Sequence, residues 1–268
     1  MRRLKEVKWM NPKACTNQAY VPTFVEHVAN VVSHGIWIVP AFLGALELIE
    51  RASTWPKLLS ALIYGTSLSL LFIVSTVFHG IHYCFHKGKL TSLKDVLHRC
   101  DRAMIYVFIA ASYFPWLNHE PFQVDVLLPT TRILIWIMAA VGILYQQIFH
   151  ERYKWLETLF YVIMGLGPSV AIVGISMLSN ASGAARIITE YDNIAELKLG
   201  GLAYLVGIVF FKADGRIPCA HAIWHLFVAV GAGFHYLAIL RHLYPDSEVP
   251  ILSSGERLLG FFATRTEF

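Results

Sequence analysis

CAHAIWHLFVAVGAGFHYLAILRHL, residues 219–243, reads as one long apolar helix with two histidines in its first turns. At about 1.5 Å per residue it is long enough to cross a hydrocarbon core of ~30 Å. His221 and His225 stand four residues apart, so they project from consecutive turns onto one face. Ionisable side chains inside such a segment are costly to bury, which makes them functional-site hypotheses.

The rest of the chain repeats the apolar pattern. Further runs cover 28–49, 58–81, 101–118, 131–149, 156–178 and 197–212. The sixth is short and bracketed by Lys198 and Lys212, whose long stems can snorkel from the ends of a spanning helix. Over half the chain is hydrophobic (56%) and only 15% is charged, too little polar surface to cover a soluble core of 268 residues. The expected fold is an all-α membrane protein with seven transmembrane helices; six with a re-entrant segment is the alternative. The expected organisation is a short cytosolic segment 1–27, a membrane domain 28–243 and a tail 244–268. No cleavable signal is expected, because MRRLKEVKWM is basic and polar and the first apolar run starts well downstream.

Charge sets the expected orientation. With the N-terminus inside, the inner connections hold 14 of the 22 lysines and arginines, including Arg2, Arg3, Lys87, Lys89, Arg99 and Arg102. The outer ones hold eight, among them Arg51, Lys57 and Arg241. The positive-inside rule therefore favours a cytosolic N-terminus and a C-terminus outside or in the lumen. The net charge of +4 suits anionic leaflet lipids and gives no reason to expect nucleic acid as a partner. Cys15, Cys84, Cys100 and Cys219 fall in or beside the inner connections, so disulfides are not expected. The sequon Asn180-Ala181-Ser182 falls on the outer side.

That orientation places several polar residues in one leaflet. Ser75 and His79, also four apart, close the second apolar run in STVFH, and Asp101 opens the third. His79, His221 and His225 would give three nitrogen ligands, the arrangement of zinc with an open fourth position. Such a zinc lowers the pKa of water to about 7. Asp101 would hold or deprotonate the water, and Ser75 would orient it or the substrate. A membrane lipid amide or ester is the natural substrate of a site opening toward the inner leaflet. His27, His34, His82, His86, His98, His119, His150, His235 and His242 read as packed or interfacial histidines. The plain alternative for Asp101 is an ion pair with Arg102, and for Ser75 a bond to its own helix.

STVFH (75–79), CDRAMIYVFIAASYFPWLN (100–118) and FFKADGRIPCAHAIWH (210–225) together resemble the progestin and adipoQ receptor family, which includes haemolysin III-like proteins. PTFVEHVANVVSHGIWIVPA (22–41), FHERYK (149–154) and MGLGP (164–168) extend the resemblance over residues 9–244. The resemblance implies seven helices, a cytosolic N-terminus and zinc on His79, His221 and His225, with Asp101 and Ser75 at the water. It also implies a membrane signalling receptor or regulator; the spans suit plasma, Golgi or endolysosomal membranes, and a membrane lipid as ligand or substrate and a cytosolic signalling partner are expected. A zinc-dependent lipid amide or ester hydrolase is the first alternative, since the family is similar in its site to alkaline ceramidases. A scaffold braced by structural zinc is the second. Adiponectin is not expected as a ligand, because the long cytosolic extension of its receptors has no counterpart in residues 1–27.

Overall fold

A lipid-facing helix must turn its apolar residues outward and its polar ones in, the reverse of a soluble protein. The fold, seen in a computed structural model that describes residues 8–14, 20–84, 91–118, 127–150, 152–179 and 194–252, has this inverted pattern. Val28, Val32, Ile36, Val39 and Leu43 are exposed along one flank, while Glu26, His27, Asn30, Ser33 and His34 are buried on the other. Ile133, Ile137, Val141, Leu144 and Ile148 form a similar exposed apolar stripe.

Among the described residues the elements are all helical: α1 (Phe24–Gly35), α2 (Ile38–Glu50), α3 (Trp55–Cys84), α4 (Thr91–Leu117), α5 (Leu127–Ile148), α6 (Lys154–Ser179), α7 (Ala195–Phe211) and α8 (Ala220–Leu243). Each of the seven apolar runs falls on these helices, three of them ending one residue beyond and the first shared by α1 and α2 across a turn. Four stretches are long and apolar enough to cross a membrane: Phe24–Glu50, Trp55–Cys84, Thr130–Ile148 and Ala220–Leu243. The shortness expected of the 197–212 run is seen in α7, which has 17 residues.

The first run spans two helices that meet at a turn, within the one stretch Phe24–Glu50 long and apolar enough to cross a membrane. It breaks at Ile36-Trp37, between α1 and α2. Pro40 supplies a physical cause, because it has no N–H for the Ile36 carbonyl and its ring crowds that oxygen. Thr23 opens α1 with a capping box: its hydroxyl accepts from the Glu26 backbone N–H (3.3 Å), and the Glu26 carboxylate accepts from the Thr23 N–H (2.8 Å).

Packing places α3 and α8 at the centre. α3 packs on α1, α2 and α4, and α8 packs on α7, α1 and α4. One apolar core gathers Leu48, Tyr64, Leu68, Val228 and Ile239, and another joins α4, α5 and α6 through Tyr106, Ile135 and Met164. At the end where α3 begins and α8 finishes, the segment after α8 is tied to the α2–α3 turn. Lys57 pairs with Glu248 (2.5 Å), Arg51 pairs with Asp246, and the Ile251 N–H donates to the Ala52 carbonyl (2.8 Å). Cys84, Cys100 and Cys219 are free thiols, whereas Cys15, the sequon and the end of the tail lie outside the described residues.

Gly65 marks the closest approach of α2 and α3, since a Cβ there would meet the Cβ of Ala45 at 2.5 Å and its Cα at 3.0 Å. Gly65→Val is expected to destabilise the fold by about 1–3 kcal/mol, the usual cost of overpacking. A lowered melting temperature in detergent would register it, with Gly201→Ala, a site open to a methyl group, as the neutral control.

Candidate metal centre

Three histidines from two helices meet between α1, α3, α4 and α8. His79 comes from the last turns of α3, and His221 and His225 from the first turns of α8. Each offers a ring nitrogen, and those three atoms lie within 4.8 Å of one another. The ring centroids are 5.3 Å apart for His79–His221, 5.1 Å for His79–His225 and 4.6 Å for His221–His225. His79 and His225 are each only 2% exposed.

The free atoms fit a cation. His79 Nε2 and His221 Nδ1 are buried without a hydrogen-bond partner. Asp214 Oδ2, 3.9 Å from His221 Nδ1, is too distant to bond it. The tautomer of His225 follows from its neighbour on α1. Ser33 donates its hydroxyl proton to the Asn30 carbonyl (3.1 Å), so its oxygen is an acceptor for His225 Nδ1 at 3.0 Å. The proton of His225 therefore sits on Nδ1, and the Nε2 lone pair is left for a ligand bond. Three neutral imidazoles at such spacing suit zinc and its borderline neighbours.

Sequence reasoning did not find Ser33, because nothing local links positions 33 and 225. His34, expected to be a packed side chain, is one, but it packs on the site. Its ring stacks on His225 with centroids 3.7 Å apart, and Phe72 meets it edge-on. Tyr20 covers the other ligand, its ring 5.1 Å from that of His221. Asn30 Nδ2 donates to the Tyr20 hydroxyl (2.7 Å). Burial, and next the Asp214 carboxylate, push that hydroxyl well above its usual range, so it stays protonated.

Ser75 lies one turn from His79 along α3, its hydroxyl buried without a hydrogen-bond partner, and Asp101 lies on α4, which packs on α3. Ser75 is 2% exposed. The Arg102 guanidinium bonds Glu157 on α6 at 2.7 Å, and Tyr161 donates to the same carboxylate at 2.9 Å. Cys219, at the N-cap of α8, holds a left-handed backbone (φ 54°), the one non-glycine residue to do so among those described. Strained backbone of this kind is often kept beside functional residues, and His221 is two positions on. His235 has the plain role expected of it, packed against Gly200 and Tyr204.

Fold and site define a helical membrane protein with a histidine-lined polar centre. The model of haemolysin III-related proteins matches residues 23–236, and the chain belongs to that family. It is 44% identical to the human monocyte to macrophage differentiation factor over 239 residues, 88% of this chain and 92% of the relative. It is also 33% identical to a hemolysin-3 homolog of Bacillus subtilis (86% of this chain, 99% of the relative) and 32% identical to hemolysin-3 of Bacillus cereus (83% and 94%).

Ser33→Ala is expected to lower the affinity for a divalent cation by roughly 10–100-fold, the usual effect of losing an outer-shell partner. Titration of chelator-stripped protein would measure it. Ser33→Thr, which keeps the hydroxyl, should hold near the original value.

Proposed function

We propose that this chain is a membrane signalling protein of the progestin and adipoQ receptor type, whose signal is set at an intramembrane zinc centre. His79, His221 and His225 are its ligands. The observation that carries the reading is their convergence, with two ring nitrogens buried and unbonded and the third held in its ligating tautomer by Ser33. Two central helices and their α1 and α4 neighbours share this one polar point, so a ligand that shifts it would alter the packing of the whole bundle. The ligand is a membrane lipid, reached from within the bilayer, and a cytosolic partner reads the change. In this reading all seven helical runs cross the membrane, with the N-terminus in the cytosol and the centre toward the inner leaflet of a plasma, Golgi or endolysosomal membrane.

A second reading is hydrolysis of a lipid amide or ester, and the buried, unbonded hydroxyl of Ser75 one turn from His79 favours it. Zinc on three imidazoles would supply Lewis acidity and an activated water. Asp101 would take the proton of that water, and Ser75 would orient the pair. A purely structural metal would need neither residue.

Two experiments test these readings. His221→Ala combined with His225→Ala should abolish bound zinc and lower thermal stability together; full zinc occupancy in that variant would sink the metal centre. Asp101→Asn should keep zinc. If hydrolysis is the function, turnover of an N-acyl lipid should fall by roughly 10²–10⁴-fold, whereas signalling unchanged in the same variant would leave the receptor reading alone. For orientation, a protease-sensitive tag before Met1 should be cut from the cytosolic side and one after Phe268 protected in sealed vesicles. Equal cleavage at both ends would contradict the seven-crossing arrangement.

A further inference from the structure

A second pair of imidazoles lies at the end of the bundle where α4 begins and α5 finishes. His98 of α4 and His150, just beyond α5, face each other with His98 Nδ1 3.2 Å from His150 Nε2. Both rings are half-buried. Each is also held from behind. His98 stacks flat on Phe78, with centroids 4.9 Å apart and planes 3° from parallel. His150 Nδ1 lies 3.0 Å from the amide of Gln146, a side chain only 1% exposed. Nearby, Arg99 of α4 donates to the Gln147 carbonyl (2.6 Å), which fixes α4 against the end of α5.

This geometry is close to that of two ligands on one ion. Nitrogens 3.2 Å apart, each about 2.0–2.1 Å from a shared cation, subtend an angle of about 100°, near the tetrahedral value. Little movement separates the hydrogen-bonded pair from the ligated one. We propose that His98 and His150 form a second, exchangeable site for a borderline divalent cation, zinc or its neighbours, through which the buried triad is loaded. Imidazole nitrogen is the donor these ions accept readily. The cation takes the place of the proton between His98 Nδ1 and His150 Nε2, and that proton moves through water to His150 Nδ1, so both rings stay neutral with one proton each. Gln146 turns its amide to present oxygen instead of NH₂ to that N–H, giving up the bond its oxygen accepts from Gln147. Two protein nitrogens hold an ion weakly with water in its other positions, which suits an exchange site.

The route inward is short. Phe78, on which His98 stacks, precedes the ligand His79 in the chain, with ring centroids 4.7 Å apart. His82 borders the same phenyl ring at 5.9 Å, and His27 borders His82 at 5.2 Å. His98, His82 and the ligand His79 thus border one phenyl ring, that of Phe78, between the half-buried pair and the triad.

The test uses full-length protein in detergent, stripped with chelator and titrated with Co²⁺, whose visible absorption reports imidazole coordination. Wild type should bind two ions per chain in a tight and a weak step. His98→Gln with His150→Gln should lose the weak step and reload the tight one at least roughly tenfold more slowly, with helical circular dichroism unchanged. His221→Ala with His225→Ala should lose the tight step and keep the weak one, so the proposal stands or falls apart from the triad. Should the glutamine pair not fold, His150→Gln alone reports the same losses. A weak step that survives the glutamine variant, its absence from wild type and triad variant alike, or reloading at the wild-type rate would each overturn the proposal and leave a hydrogen-bonded pair only.

Discussion

Burying imidazoles in an apolar bundle is the constraint on which the arrangement of this protein turns. A neutral imidazole carries one donor and one acceptor, and either left unmet in a low-dielectric interior is costly. One cation bound to three rings meets three acceptors at once, provided that each ring keeps its proton on the other nitrogen. The bundle meets that condition for His225 through Ser33, whose own proton is committed to the Asn30 carbonyl. α1 must therefore reach both α3 and α8, as it does. With the polar residues drawn inward, the outer flanks of α1, α2 and α5 can be almost wholly apolar.

The short α1 serves the same end. Glu26 ties its start to the segment before it, accepting from the backbone N–H groups of Thr23 and Asn11. α1 lies against α3 and α8 where the imidazoles are, and α2, beyond the Ile36-Trp37 turn, packs on α3 nearer its beginning at Ala45 and Gly65. Gly215, the one described glycine with positive φ (71°), packs against the backbone of Lys13, so the α7–α8 turn leading to His221 is also braced by the N-terminal segment.

Much of this was legible in the sequence, for identifiable reasons. The long apolar runs announced the helices because length and composition in a membrane protein are set by the bilayer rather than by tertiary contacts. His221 with His225, and Ser75 with His79, were legible because a four-residue spacing survives in any helix. Pro40 was also a readable signal for the α1–α2 break, but the unbroken apolar run around it hid its effect. Ser33, His34 and Tyr20 carried no local signal at all. Their roles arise from contacts such as Ser33 with His225, 192 positions apart, and depend on which helices become neighbours.

Asp101 and Arg102 show how helix geometry separates two functions that sequence places side by side. Adjacent helical residues point in directions about 100° apart, so they do not face each other. Arg102 turns to α6 and is held by Glu157, itself fixed by Tyr161. Glu157 engages the guanidinium and joins α4 to α6. The Arg102–Glu157 pair thus carries a long-range contact that a local reading of two adjacent charges does not show.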